Sequence, residues 1–331
     1  MTVAAIWLGY ITHRAREQRT AVARIRELQG RVVYDYQYQV ENSAANPLPQ
    51  TPPGWPWLRH LIGDEYFQDV AMIFLDNTPV SDADLRILCK LRGTRSISLR
   101  QGNITDEGLK SLEQLTRLTS LDLRETKITS AGLAQFKPPL GIGTLFLANT
   151  RIGGDGTKAL SQWSNLSMLG LEGTDVTAED IQHLAELKNL QTLVIQRTKL
   201  DDSAVPNLGK LTALVELYLD DSQISGTGLL SLHDQLPNCR IEGNTVECEG
   251  STGPSPEHAR WKQITTRFIA LDREKYIKLL ILSVPWISDG HLLALEELKH
   301  VEAIDLRRTQ VTDAGVNKLQ RALPKCKIVR E

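Results

Sequence analysis

The chain has 331 residues, a formal net charge of −2 and 41% apolar residues. That length can bury a sizeable core, and the near-neutral balance excludes the basic footprint of a nucleic-acid binder. The cysteines Cys89, Cys239, Cys248 and Cys326 form no C-x-x-C pair; a Cys239–Cys248 disulfide stays open, with reduced structural thiols the better reading.

Residues 1–40 open with an apolar segment (MTVAAIWLGYIT) shorter than the ~20 residues that span a bilayer. Arg14, Arg16, Arg19, Arg24 and Arg26 follow it. Two readings stand. One is the inner end of a membrane anchor whose beginning is missing, which makes the chain membrane-associated through its N-terminus. The other is an amphipathic helix with Ala21, Val22, Ile25 and Leu28 on one face, compatible with a cytoplasmic chain. No small-x-small cleavage site follows, which argues against a removable signal peptide. Gly30 ends this helix, and 31–39 alternates like a strand. Residues 41–56, with prolines at 47, 49, 52, 53 and 56, read as a stiff linker, more simply than as a Pro-rich ligand segment. From Trp57 to Phe67 a short amphipathic helix is expected to lead into the next region and cover the end of its core.

Residues 57–241 form an array that includes this lead-in helix, and from Val70 to Ile241 it repeats every 24 residues. Ile73, Ile97, Leu121, Leu145, Leu169, Leu193 and Leu217 mark the period; a second aliphatic stands two residues after each and a third five residues later. Period-two alternation around Leu121 and Leu123 predicts a short strand with one buried face. A hydroxyl recurs at Thr78, Thr126, Thr150, Thr174, Thr198 and Ser222, where it can bond loop backbone that would otherwise be buried unpaired. Three residues later Ser81, Thr105, Thr129, Gly153, Thr177, Asp201 and Ser225 supply helix N-caps. Each turn is therefore strand, loop, short helix, loop, and stacked turns share one core. Residues 242–257 read as an irregular loop. The pattern resumes in 258–331, where Leu280 and Leu282 are followed after 24 residues by Ile304 and Leu306. Trp261–Leu282 echoes Trp57–Leu75, which points to a second short array with its own lead-in helix; the rival is one array interrupted by an inserted loop.

The phrase V/L-x-x-L-x-L-x-x-T-x-I-T-x-x-G-L-x-x-L resembles the leucine-rich repeat family. That resemblance implies an α/β solenoid with a curved parallel sheet inside and short helices outside. The stretch T-Q-V-T-D-A-G-V at 309–316 resembles a bacterial type, some members of which carry an N-terminal membrane anchor. The chain is also similar to the repeat half of F-box ubiquitin-ligase receptors, which implies substrate recruitment as an alternative; no F-box is recognisable before the array. A purely structural, envelope-associated role is a further alternative.

Chemistry is scarce. The seven histidines make no H-x-x-x-H or H-E-x-x-H. Gly153-Gly154-Asp155-Gly156 lacks the Gly-Lys-Ser/Thr of a phosphate loop. The carboxylate pairs Asp82/Asp84 and Asp201/Asp202 sit at helix starts, where acids favour the dipole. The reading is a non-enzyme with no catalytic residues, cofactor or metal. Outward strand positions form columns in which Phe146, Met168, Val194 and Tyr218 are apolar, with Arg100 and Arg124 at one end and Glu216 and Asp220 at the other. Apolar groups inside a charged rim are expected to bind a protein partner on the concave face.

Overall fold

The computed structural model describes residues 2–37, 52–243, 245–247 and 275–330, together with 261, 265, 268, 269, 272 and 273. Most of the Pro-rich segment, Cys248, residues 38 and 39 of the expected strand and the rest of the expected loop and second lead-in lie outside the described residues. Two compact units divide the chain, 1–176 with 183–192 and 177–182 with 193–331.

In the first unit, helix α1 (Thr2–Glu27) leads to strand β1 (Arg31–Tyr34), helix α2 (Pro56–Ile62) and strand β2 (Val70–Phe74). Strand–helix alternation follows with α3 (Asp82–Leu88), β3 (Ser96–Ser98), α4 (Asp106–Ser111), β4 (Ser120–Asp122), α5 (Ser130–Gln135), β5 (Thr144–Phe146), α6 (Gly154–Leu160) and β6 (Met168–Gly170). Strands β2 to β6 pair in parallel, each in register with the residue 24 positions on, so that Ile73, Ile97, Leu121, Leu145 and Leu169 form one inward row. The repeat-defining aliphatics of both units are at most 2% exposed. Burial at this level is worth roughly 1.5–3 kcal/mol per side chain, which is why the period tolerates no polar substitution along these rows.

The N-terminal end of this core is closed differently from the expectation. Helix α2 buries none of its side chains, and Trp55, Trp57 and Leu61 are exposed. Instead β1 adds antiparallel to β2, pairing Arg31 with Phe74 and Val32 with Ile73. Helix α1 lays Ala15, Ala21, Val22 and Ile25 into the core, and Leu28 just after it is buried as well. Its arginines face the carboxylates of the repeats: Arg14 pairs with Asp69, Arg19 with Glu65, and Arg24 with Asp84 at 2.7 Å, while Glu17 takes Lys90 at 3.2 Å. The basic part of this segment is thus used for docking, while Ile6, Trp7 and Tyr10 of the apolar stretch stay exposed. No described helix is long and apolar enough to cross a membrane. The expected strand 31–39 stops at Tyr34, and 35–37 are helical.

Helix α7 (Ala178–Leu184) and strand β7 (Thr192–Val194) contain the unit boundaries. The second unit continues with α8 (Val205–Leu208), β8 (Glu216–Tyr218), α9 (Gly226–Gln235) and β9 (Arg240–Glu242). Strand β10 (Thr245–Glu247) follows, inside the segment expected to be loop. Then come β11 (Leu279–Ile281), α10 (Asp289–Leu292), β12 (Ala303–Asp305), α11 (Asp313–Ala322) and β13 (Lys327–Val329). Strand β9 pairs with β8, whereas β10 to β13 form a separate four-stranded parallel sheet. Helix α9 lies against β11 and β12. Lys278 donates its ammonium to the carbonyls of Ser222 (3.1 Å) and Ile224 (2.9 Å), the Gly226 N–H donates to Glu302 (2.7 Å), and Arg307 bridges to Asp234 (2.6 Å). The echo between Trp57 and Trp261 does not extend to packing, because Trp261 is buried in the core of this sheet while Trp57 faces solvent.

Two devices make one turn fit the next. Thr78, Thr126, Thr174 and Thr198 donate their hydroxyls to the carbonyls of Leu75 (2.8 Å), Leu123 (2.6 Å), Leu171 (2.6 Å) and Ile195 (2.8 Å). The first residue of one helix also caps the next helix. Asp82 accepts from the Thr105 N–H and hydroxyl at 2.9 and 2.6 Å, and Asp106 from Thr129 at 2.8 and 2.7 Å. Asp202 takes Ser225 at 2.8 and 2.6 Å, and Asp289 takes Thr312 at 2.7 and 2.6 Å. Each carboxylate occupies the space above a glycine, Gly108, Gly132, Gly228 or Gly315, where any Cβ would collide with it. The T-D-x-G-L phrase is therefore one cross-turn joint, in which the Asp of one turn needs the Gly of the next.

The joint has a pH signature. The Thr312 hydroxyl and N–H hold the Asp289 carboxyl below the usual range, against the opposing effect of burial, and Arg330 adds to the lowering. A depressed folded-state pKa contributes stability above the unfolded value of about 4 and loses it as pH falls through the folded value. Urea midpoints followed from neutral pH down to about pH 3 should therefore fall more steeply in the wild type than in Asp289→Asn. Parallel curves would remove this joint as a source of acid sensitivity.

Candidate functional site

On the exposed face of the first unit's sheet, the outward residues of β4, β5 and β6 pair laterally as Asp122 with Phe146 and Phe146 with Gly170. Leu145 and Leu169 point inward and are fully buried; Phe146 and Met168 are half-buried on the opposite face. Arg124 closes a fork on Asp122, with Nε 2.9 and 3.0 Å from the two carboxylate oxygens and Nη2 at 2.5 Å. That bonding raises the Arg124 pKa further. The same guanidinium lies 5.2 Å from the centre of the Phe146 ring, a cation–π contact worth ~0.5–1 kcal/mol at an exposed site.

The Phe146 ring occupies the space that Gly170 leaves open. A Cβ there would approach the ring edge to 2.8 Å and the Glu172 Oε2 to 2.9 Å. That Glu172 oxygen is buried and has no hydrogen-bond partner among the described residues. Arg100 is bound through Nε (3.0 Å) and Nη2 (2.8 Å) to Glu125, whose carboxyl Gln101 and then Arg100 hold below the usual range. Both predicted rim arginines are thus paired with a neighbouring carboxylate. The first unit brings together Arg100, Arg124, Phe146 and Met168. Asp122, Gly170 and Glu172, which shape this surface, were missing from the expected set. Their only signal in sequence was their place in the outward columns.

In the second unit Val194 and Tyr218 are half-buried outward residues of β7 and β8. Burial, and then Glu216 and Glu242, push the Tyr218 phenol up. Asp220 accepts from the Gln196 amide at 2.5 Å. Tyr276, also outside the expected set, is raised by burial and then by Asp220, Asp221 and Glu242, which puts its phenol among the acids of this end. Among the described residues no three His, Cys, Asp or Glu side chains could together hold a metal ion. Cys89, Cys239 and Cys326 are buried free thiols; burial pushes Cys239 up to about 11 and Cys326 up to about 12. Gly153 caps α6, and Gly156 packs over Ser130, so this glycine run serves the cross-turn joint.

One backbone feature recurs with the same period. Asn77, Gln101, Glu125, Asn149, Arg197 and Asp221 adopt left-handed φ values of 54 to 60°, Gly173 has φ 62°, and Arg308 repeats the feature at 63°. Such conformations cost non-glycine residues ~1–2 kcal/mol. Here forward hydrogen bonds hold them: the N–H groups of Asn77, Gln101 and Glu125 donate to the carbonyls of Arg100, Arg124 and Ala148 at 2.8 to 3.0 Å. Strand, left-handed corner, threonine bond and capped helix therefore recur at the period of the aliphatic rows. The fold is a leucine-rich repeat solenoid.

No family model and no curated protein sequence matches the chain. Among solved structures, internalin C2 from Listeria monocytogenes is similar, with 25% identity over 53% of this chain and 80% of that chain and a TM-score of 0.39. The assignment of the leucine-rich repeat fold rests on the repeat geometry described above.

Proposed function

We propose that this leucine-rich repeat chain is a non-catalytic scaffold that binds a protein partner on the exposed sheet face of its first unit, around Phe146 and Met168. The observation that supports this most is the surface at β5 and β6. An aromatic ring and a thioether stand half-exposed on a rigid strand face, beside a guanidinium. Aromatic, Met and Arg side chains are enriched at the centres of protein interfaces. Val194, Tyr218, Glu216 and Asp220 offer a second contact surface in the second unit by the same reasoning. Residues 57–241 and 258–331 act as two arrays under this proposal.

Affinity capture with the wild type beside Phe146→Ser/Met168→Ser tests it, with folding matched by urea midpoint. A specific partner should bind the wild type and be lost by at least about tenfold in the double variant, since central interface residues carry ≥ ~2 kcal/mol each. A Val194→Ser/Tyr218→Ser variant reports on the second surface separately. Equal capture by both double variants and the wild type would overturn the sheet-face reading.

A further inference from the structure

The first unit carries a cleft of about 430 Å³ that lies away from the Phe146 surface. One wall is a single stripe of α1, with Tyr10, His13, Arg14 and Glu17 at helical spacing. The other is made by corresponding loops of consecutive repeats, which bring in Lys90, Arg92 and Arg117. The charges do not balance. Arg14 is held by Asp69, and the single acid, Glu17, is shared between His13 at 3.3 Å and Lys90 at 3.2 Å. Arg92 and Arg117 are exposed and enter no ion pair or side-chain hydrogen bond with the described residues. Two free guanidinium forks facing a half-satisfied lysine are suited to a phosphate group, which accepts paired N–H donors.

The same stripe of α1 continues one turn further as Ile6, Trp7 and Tyr10, which are 72%, 64% and 61% exposed. Trp and Tyr rings favour the headgroup level of a bilayer, with the apolar body below it and the polar edge in water. We propose that the cleft binds the phosphate headgroup of an anionic phospholipid while Ile6 and Trp7 enter the bilayer interface, so that the chain lies on a membrane surface through the end of α1. The adjoining aromatic stripe favours a lipid over free phosphate as the source of the anion. Helix α1 would meet the surface in the manner of interfacial helices that combine an apolar face with basic groups. This inference does not depend on the partner-binding reading, because the two surfaces share no residue.

The full chain is tested by co-sedimentation with vesicles of phosphatidylcholine alone and of phosphatidylcholine with phosphatidylserine. The expected result is binding to the anionic vesicles, weakened by salt and reduced at least about tenfold in Arg92→Glu/Arg117→Glu. Arg92→Gln/Arg117→Gln, which removes charge without reversing it, should show a smaller loss of the same sign. Tryptophan emission should shift to the blue on binding, and Trp7→Ser should lose that shift while keeping the wild-type urea midpoint. Equal binding to neutral and anionic vesicles, or undiminished binding by the charge-reversal variant, would overturn the proposal. Calorimetric binding of inorganic phosphate without vesicle binding would overturn it too, in favour of a free-anion site.

Discussion

Trp261→Ala is expected to destabilise the chain by about 3–5 kcal/mol, whereas Trp57→Ala should stay within about 0.5 kcal/mol. The two tryptophans open similar-looking segments, yet their surroundings differ. Trp261 is 6% exposed, meets Phe268 and Trp286 edge-on at 6.4 and 5.8 Å between ring centres, and donates its indole N–H to the His291 carbonyl at 3.2 Å. Truncation removes a large buried ring, leaves a cavity and orphans that carbonyl. Trp57 is 62% exposed and, among the described residues, stacks on the similarly exposed Trp55 at 6.1 Å. Urea denaturation of both variants measures the contrast. Equal losses would mean that α2 is packed more firmly than its exposure indicates.

Gly132→Ala is expected to cost about 2–3 kcal/mol, the scale of losing hydrogen bonds to a charged group. In an exposed helix the same change would gain ~1 kcal/mol from propensity. The sign reverses here because the added Cβ would occupy the space of the Asp106 carboxylate, which must then release the Thr129 N–H and hydroxyl. The mechanism predicts strong non-additivity. In an Asp106→Ala background the obstacle is gone, and Gly132→Ala should become neutral or stabilising. A double-mutant cycle from urea unfolding reads this directly. Additive costs would show that the glycine is needed for some other reason.

The aliphatic rows could be read from sequence because burial tolerates only one kind of side chain at Ile73, Leu121 or Leu217, so the period is written in composition. The threonine bonds and N-caps were legible for the same reason: each position needs a hydroxyl or short polar group. The left-handed corners were not, since hydrogen bonds from neighbouring turns let Gln101, Glu125 and Arg197 occupy a conformation that local preference reserves for glycine. Only Asn77, Asn149, Gly173 and Asp221 in that column hinted at it. The N-terminal closure was misplaced because arginines that pair with the carboxylates of Asp69, Glu65 and Asp84 have the same composition as arginines that flank a lipid-facing segment. Strand β10 was missed because Thr245–Glu247 lies outside the 24-residue register and is recruited by pairing with β11. At the candidate surface, Phe146 and Met168 were visible as apolar residues in outward columns. The pairing of Arg124 with Asp122 is local to one turn, two residues apart, whereas the opening over Gly170 depends on the Phe146 ring of the preceding turn, a neighbour that no single turn encodes.

Side-chain footprinting with hydroxyl radicals, comparing the free chain with its complex with the captured partner, reads the binding surface residue by residue. Phe146 and Met168 should lose reactivity in the complex while Trp55, Trp57 and Leu61 keep theirs. Unchanged reactivity at Phe146 and Met168, with protection at Trp55 and Trp57, would contradict the sheet-face reading and move the binding surface to α2.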